Sequence, residues 1–316
     1  MPVVRSNRWI ELWRHDPNVI DSPLRGCTRL ADMPELKDQE AKARSLGRAL
    51  LDASHIYEDF LIPRSEGRLR RRRLPPYRSA IIGLVGRQRR FLRAAYTLAD
   101  TGQVLEAVGP LRSMFEFLVC QRWLAHDPDR NWKLWMEDNH AALDRLRKRL
   151  HEHAPALHDA AAAALTPEQR EEANVIATVR TKVAGELGDR GKGLPSVEQR
   201  AGKVGLAFLY DLLYRYESSA GTHPTLHAVD LLLERSPRGL VLRGEPTAQF
   251  AAPPVYLHGA HLLYKALNES GEHTPALRLP ELPSLGRDLH ALAERHANAR
   301  LPNWQELLPS EAFEQT

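Results

Sequence analysis

Apolar residues recur at three- and four-residue spacing along most of the chain, and this is the period of an α-helix. The pattern predicts helices over residues 34–61, 77–100, 104–127, 130–153, 156–165, 166–187, 197–219, 255–270 and 285–299. Segment 104–127 is apolar nearly all round, so we expect it to be the central buried helix. Pro110 inside this segment predicts either a bend or the true start of the helix.

These segments together predict an all-α protein, a multi-helix bundle of eight or more helices. Residues 237–254 are the one stretch with strand-like content, which either a short β-hairpin or an extended crossover would explain. We expect residues 1–32 to form an N-terminal extension, residues 33–300 a single helical domain, and residues 301–316 a C-terminal tail.

Composition narrows the class of protein but not its activity. The chain is 43% hydrophobic and 27% charged, as in soluble globular proteins, and no apolar run is long enough to cross a bilayer. The first residues lack a signal-peptide pattern, and Cys27 and Cys120 form no disulfide framework, so we expect a cytoplasmic protein. The net charge of +4 permits a nucleic-acid partner without requiring one.

The most polar interruption of the helical pattern is the stretch YRYESSAGTHPTLH, residues 214–227. Tyr210 and Tyr214 place polar tips on an apolar helix, which Ser218, Ser219 and the following glycine are expected to break. Such residues either punctuate two helices or line an interior site. In the second case His223 would serve as an acid or base near neutral pH.

Arg112 and Glu116 lie four residues apart on the central helix and therefore share one of its faces. Their neighbours are apolar, so burying either charge alone would be costly. The pair is either an interior salt bridge that fixes helix register or a charge pair that faces a ligand. In the second case Arg112 would hold an anion and Glu116 would join His223 in the chemistry.

The order of these motifs also carries a resemblance. The chain resembles an uncharacterised all-helical bacterial family, domain-of-unknown-function family five-six-seven-seven. The motifs that match are Arg112 and Glu116 on a buried helix, then Tyr210 and Tyr214 on a later helix, then Ser218 or Ser219 before His223. The resemblance covers about residues 40–265. It implies the fold and the location of a site but no activity. A more distant similarity connects the chain with HEPN-type helical ribonucleases and nucleic-acid-associated proteins.

Two further groups of residues offer alternative chemistries. Ten arginines lie from Arg68 to Arg93. They either form a solubilising surface, which is the simpler interpretation, or bind the phosphates of a nucleic acid. The residues assigned to this nucleic-acid-binding patch are Arg70, Arg71, Arg72, Arg73, Arg87 and Arg90. A di-iron-like ligand set can be drawn from Glu116, Glu137, His140, Glu217 and His223. Only one Glu-x-x-His motif is evident, so no metal is assigned.

We therefore expect a helical protein whose interior polar pocket binds, or acts on, a small polar or nucleotide-like ligand. The alternatives are a HEPN-like protein that binds or cleaves RNA through the basic patch, and a metal-dependent helical-bundle oxidase. The sequence requires no cofactor, permits a homo-oligomer, and leaves open whether the protein is an enzyme. Motifs for nucleotide-binding loops, serine hydrolases and zinc proteases are absent.

Overall fold

The computed structural model describes residues 34–57, 75–187, 193–211, 214, 233–236, 239–242 and 252–300. Within these residues the chain forms ten α-helices, which confirms the all-helical prediction. They are α1 (Pro34–Ala53), α2 (Pro76–Asp100), α3 (Val104–His126), α4 (Pro128–His153), α5 (Pro155–Ala163), α6 (Pro167–Leu187), α7 (Val197–Lys203), α8 (Ala207–Leu209), α9 (Ala252–His273) and α10 (Leu282–Arg300). A short 3₁₀ turn, Pro275–Leu277, separates α9 from α10.

Proline and capping side chains determine where the helices begin. Helices α1, α2, α4, α5 and α6 each begin with a proline, whose fixed φ suits the first turn and whose missing N–H costs nothing there. Asp127 caps α4 by accepting a hydrogen bond from the Arg130 N–H. Pro110 does not start a helix: α3 begins at Val104 and continues through the proline.

Helix α3 lies at the centre of the packing, as its apolar composition predicts. It forms its most extensive contact with α2 and also packs against α4, α7 and α9. Helix α9 in turn packs against α1, α2 and α10, so the main core lies between α1, α2, α3 and α9. Phe115 and Leu118 are fully buried there, and burying each such side chain contributes about 1.5–3 kcal/mol.

Two glycines in the left-handed region end helices. Gly102 has a φ of 82° beyond the end of α2, where the chain was predicted to turn. Gly205 has a φ of 72°, and the Leu206 N–H reaches back to the Ala201 carbonyl over 2.8 Å, which is the hydrogen bond of a Schellman cap. The prediction of one helix over 197–219 is therefore wrong, because Gly205 separates α7 from α8.

The chain also forms one antiparallel β-hairpin in the part that the structure describes. Strand β1 (Leu233–Ser236) pairs with β2 (Gly239–Leu242), and Leu233 lies opposite Leu242. Strand β2 falls within the strand-like segment 237–254, whereas β1 precedes it. The predicted N-terminal extension, residues 1–32, and the predicted C-terminal tail, residues 301–316, lie outside the described residues.

Helices α4, α5 and α6 form an arm whose apolar side chains are only partly covered. Trp132 and Trp135 at the start of α4 pack beside the buried Trp123 and Leu134. Further along α4, Leu143 is 43% and Leu146 is 55% exposed. The apolar side chains of α4 are therefore covered near its start but not towards its end. None of the helices described combines the length and apolar character that crossing a membrane requires.

Candidate functional site

The structure brings Arg112 into contact with Tyr214 and pairs it with Glu116. Arg112 Nε donates to Glu116 Oε1 over 3.3 Å, and Arg112 Nη2 donates to the Tyr214 hydroxyl over 2.6 Å. The guanidinium also lies over the Tyr214 ring, 4.2 Å from its centroid, and Tyr214 stacks on Tyr210 at 4.9 Å. Two segments 102 positions apart therefore meet through this cluster.

The remaining residues of the predicted pocket cannot be placed beside this cluster. Ser218, Ser219 and His223 lie outside the described residues, as does Glu217 of the metal set. The geometry described here therefore bears on the arginine, the glutamate and the two tyrosines alone. These four residues join α3 to the segment after α8, and their role in binding stays a prediction.

The other members of the metal set have separate surroundings. Both Glu137 carboxylate oxygens accept hydrogen bonds from Arg180 of α6, at 3.1 and 3.4 Å. Among the described residues, Glu116, Glu137 and His140 belong to no group of three potential metal ligands. Arg180 also donates to Asp144, so the Glu137 face of α4 is used to hold α6.

The structure describes two members of the predicted basic patch, Arg87 and Arg90. Arg87 and Arg90 are exposed and line a groove of about 410 Å³ together with Trp135 of α4. Arg89 between them is fully buried and does not belong to that surface. The cluster Arg70, Arg71, Arg72 and Arg73 lies outside the described residues.

A partly buried ion pair that the sequence did not predict lies between α3 and α9. Arg122 Nε donates to the Glu269 carboxylate, whose side chain is only 11% exposed. Gln121 fixes the two helices at this level, because its Nε2 donates to the Ala266 carbonyl over 2.7 Å and its Oε1 accepts from the buried Gln88. This buried hydrogen-bond chain joins α2, α3 and α9 next to the Arg122–Glu269 pair.

Arg122 and Glu269 line two neighbouring clefts. One cleft, which we name the Arg122 cleft, measures about 440 Å³ and lies between α3, α9 and α10. Its polar lining consists of Arg122, His261, Tyr264, Lys265, Asn268, Glu269, Arg287, His290 and Glu294. The second cleft, of about 530 Å³, shares Arg122, Asn268 and Glu269 and adds Lys203, Glu272 and His273. Both volumes fall in the range of small-molecule sites.

Burial perturbs the titratable groups of the Arg122 cleft. Desolvation raises the pKa of Glu269 to about 7, since it outweighs the opposing attraction of Arg122 and Lys265. Burial together with the Arg122 charge lowers the pKa of Lys265. Burial and the Lys265 charge lower the pKa of His261 to about 3, so this imidazole is neutral at pH 7. Perturbed groups of this kind, gathered in one cleft, are typical of functional sites.

A sequence signal for this cleft exists but is easily overlooked. His261, Lys265, Glu269 and His273 recur every four residues, so they form one polar stripe along the otherwise apolar α9. Arg122 is likewise a charged residue within the largely apolar α3. Periodicity identifies such residues as unusual, but it cannot show that they meet, because 147 positions separate Arg122 from Glu269.

Comparison with known proteins places the chain in a family without providing an activity. The profile of a family of unknown function, DUF5677, matches residues 78–240, just over half of the chain. The match includes α3 with Arg112, Glu116 and Arg122, but it ends before α9 and α10. No curated protein and no solved structure matches significantly, and a HEPN-like relationship is not shown. The chain therefore belongs to the DUF5677 family, whose function is unknown.

Proposed function

We propose that this protein binds a small anionic ligand in the Arg122 cleft and that Glu269 exchanges a proton there. The observation that carries the proposal is the Arg122–Glu269 pair, whose carboxylate is buried and which lines a cleft large enough for a small molecule. A buried ion pair is a poor source of stability, because desolvating two charges offsets most of their attraction. Binding is a reason for a protein to retain such a pair.

The balance of charge favours an anion. Arg122, Lys265 and Arg287 contribute three cations to the lining, against the two carboxylates of Glu269 and Glu294. When Glu269 is protonated, Arg122 loses its anionic partner and a ligand carboxylate or phosphate can take its place. The raised pKa of Glu269 puts this exchange near neutral pH.

The lining also accounts for recognition beyond charge. Tyr264 and Asn268 supply a hydroxyl and an amide, and His261 supplies an imidazole that stays neutral. Neutral donors and acceptors around a cationic centre suit a polar ligand that carries one acidic group, a class that includes nucleotides. The Arg112–Glu116–Tyr214 cluster serves in this proposal as a structural contact of α3.

Lys265→Met is expected to weaken sulfate binding at least tenfold, because a charged hydrogen bond contributes about 1.5–3 kcal/mol. Methionine keeps the length and apolar stem of the half-buried lysine, so the fold should be retained. The measurement is the thermal unfolding midpoint against sulfate concentration at pH 6, with sodium chloride at matched ionic strength as reference. Adenosine monophosphate, tested in the same way, examines the nucleotide-like class.

Arg295→Met is the matched control, because Arg295 is an exposed cation on α10 that does not line the cleft. Sulfate stabilises proteins in general, and this general effect should be equal in the two variants. The proposal is wrong if neither anion gives a saturable shift in the wild type, or if both variants respond as the wild type does.

A second candidate function is nucleic-acid binding at the groove of Arg87, Arg90 and Trp135. The specific observation in its favour is that an aromatic ring lies beside two exposed cations, a combination that binds bases and phosphates. Replacing Arg87 and Arg90 by methionine should then lower the affinity for a fluorescent single-stranded RNA more than replacing Arg145 and Arg149, two exposed arginines of α4. Equal loss in the two double variants would exclude this groove. No observation among the described residues favours the oxidase alternative.

A further inference from the structure

The turn between α4 and α5 brings two histidines and an aspartate together. Helix α4 ends at His153, and Ala154, with φ −147° and ψ 61°, turns the chain into Pro155 at the start of α5. As a result the ring of His151 in the last turn of α4 meets the ring of His158 in α5, with centroids 5.0 Å apart. His158 Nδ1 lies 3.1 Å from Asp159 Oδ1.

The geometry points to a zinc site, and we propose that His151, His158 and Asp159 bind one Zn²⁺ ion. One ligand atom from each of the three residues lies within 4.8 Å of the other two. Two imidazoles and a carboxylate form a donor set that binds zinc in preference to magnesium or calcium. None of these residues belongs to the metal set that the sequence indicated, and none lines the Arg122 cleft.

The ring arrangement agrees with a shared metal. A zinc ion about 2 Å from one nitrogen of each ring, at a tetrahedral angle, would place the ring centroids about 5 Å apart. The same tetrahedron has edges of about 3.3 Å, close to the 3.1 Å between His158 Nδ1 and Asp159 Oδ1.

Three protein ligands leave the fourth position of the zinc ion to water. His151 and Asp159 are exposed and His158 is half-buried, so both the metal and a water molecule can reach the site. The ion would join the end of α4 to the start of α5 and thereby fix the corner of the arm. Because the site is at the surface, substitutions there should leave the fold intact.

The test is a titration of the metal-free full-length chain with Zn²⁺ alone, in competition with a chromogenic zinc indicator. We expect one equivalent to bind with a Kd on the order of 1 μM. His158→Ala and Asp159→Asn should each weaken this binding at least tenfold. His140→Ala, which removes an imidazole from the middle of α4, should leave it unchanged. Excess Mg²⁺ should not compete.

A second measurement distinguishes specific metal binding at this site from adventitious metal binding elsewhere on the protein. Co²⁺ in place of zinc should give the intense visible absorption of a four-coordinate ion, and His158→Ala should remove it. The proposal is overturned if less than one equivalent of zinc binds in this range. It is also overturned if the three variants and the wild type bind zinc alike, because the chain has 14 histidines that can bind metal weakly.

Discussion

Replacing Arg89 by methionine is expected to lower the free energy of unfolding by about 2–4 kcal/mol, the largest stability effect that we predict. Arg89 lies in the middle of α2 and is fully buried. Its Nε donates to the Ser54 hydroxyl over 2.8 Å, and its Nη2 donates to the Leu51 carbonyl over 2.7 Å. Both acceptors lie at the C-terminal end of α1, where a cation is favourable.

Stability is lost because the substitution would leave the hydrogen-bond acceptors of Arg89 without their donor. Methionine fills a similar volume but donates no hydrogen bond, so a buried carbonyl and a buried hydroxyl each lose a charged partner. Arg89→Lys distinguishes the effect of the charge from the effect of the guanidinium geometry. The lysine ammonium group keeps the charge but lacks the planar group that donates to both oxygens. We expect the lysine variant to be destabilised as well, although less than the methionine variant.

Urea denaturation of the purified variants measures the effect, with Arg90→Met as the matched control. Arg90 is the next residue along α2 but is exposed, so its replacement should change the free energy of unfolding by about 0.5 kcal/mol or less. Equal destabilisation of the Arg89 and Arg90 variants would contradict the structural role that we assign to Arg89.

Arg89 also illustrates how far the sequence could be interpreted. It lies among Arg87, Arg90 and Arg93, so composition alone assigns it to an exposed basic face. Helical period gives the direction of each side chain, but it identifies a buried arginine only when the partner helix is known. Helix ends, by contrast, depend on local chemistry: Gly102 lies in the break predicted between residues 100 and 104, and α2 ends there. Gly205 was overlooked because α7 and α8 each continue the apolar pattern.

The two polar pairs on α3 show the same limit at the candidate site. Arg112 and Glu116 are four residues apart, so their shared face follows from the sequence, and the contact with Tyr214 confirms that the two segments meet. Arg122 and Glu269 are joined only by the tertiary packing of α3 on α9. A helix that is apolar all round has no single buried face, and its periodicity therefore gives no indication of which neighbour its few charged residues will meet.

Replacing Glu269 by glutamine is expected to remove a pH-dependent loss of stability of about 3 kcal/mol. In the folded protein burial raises the pKa of this carboxyl to about 7, from 4.5 for an unperturbed glutamate. Between these values the folded state holds a proton that the unfolded state has lost. The contribution of Glu269 to the free energy of unfolding of the wild type should therefore fall as pH rises from 4.5 to 7 and then level off.

Urea denaturation at pH 5, 6, 7 and 8 measures this dependence as a difference between variant and wild type. The glutamine cannot ionise, and Arg122, with 24% of its side chain exposed, keeps contact with water. The stability of Glu269→Gln relative to the wild type should thus increase with pH. Glu294→Gln is the control, because Glu294 lines the same cleft with a side chain that is 47% exposed. Its relative stability should stay nearly constant over this range.

The opposite slope would be equally informative, because two effects compete at Glu269. Direct contact with Arg122 favours the ionised carboxylate, whereas removal from water favours the protonated form. If the relative stability of Glu269→Gln decreases with pH, the arginine prevails and the ion pair is a stabilising contact. Glu269 would then remain ionised at neutral pH and occupy Arg122, and the proton exchange that we propose for anion binding would have no basis.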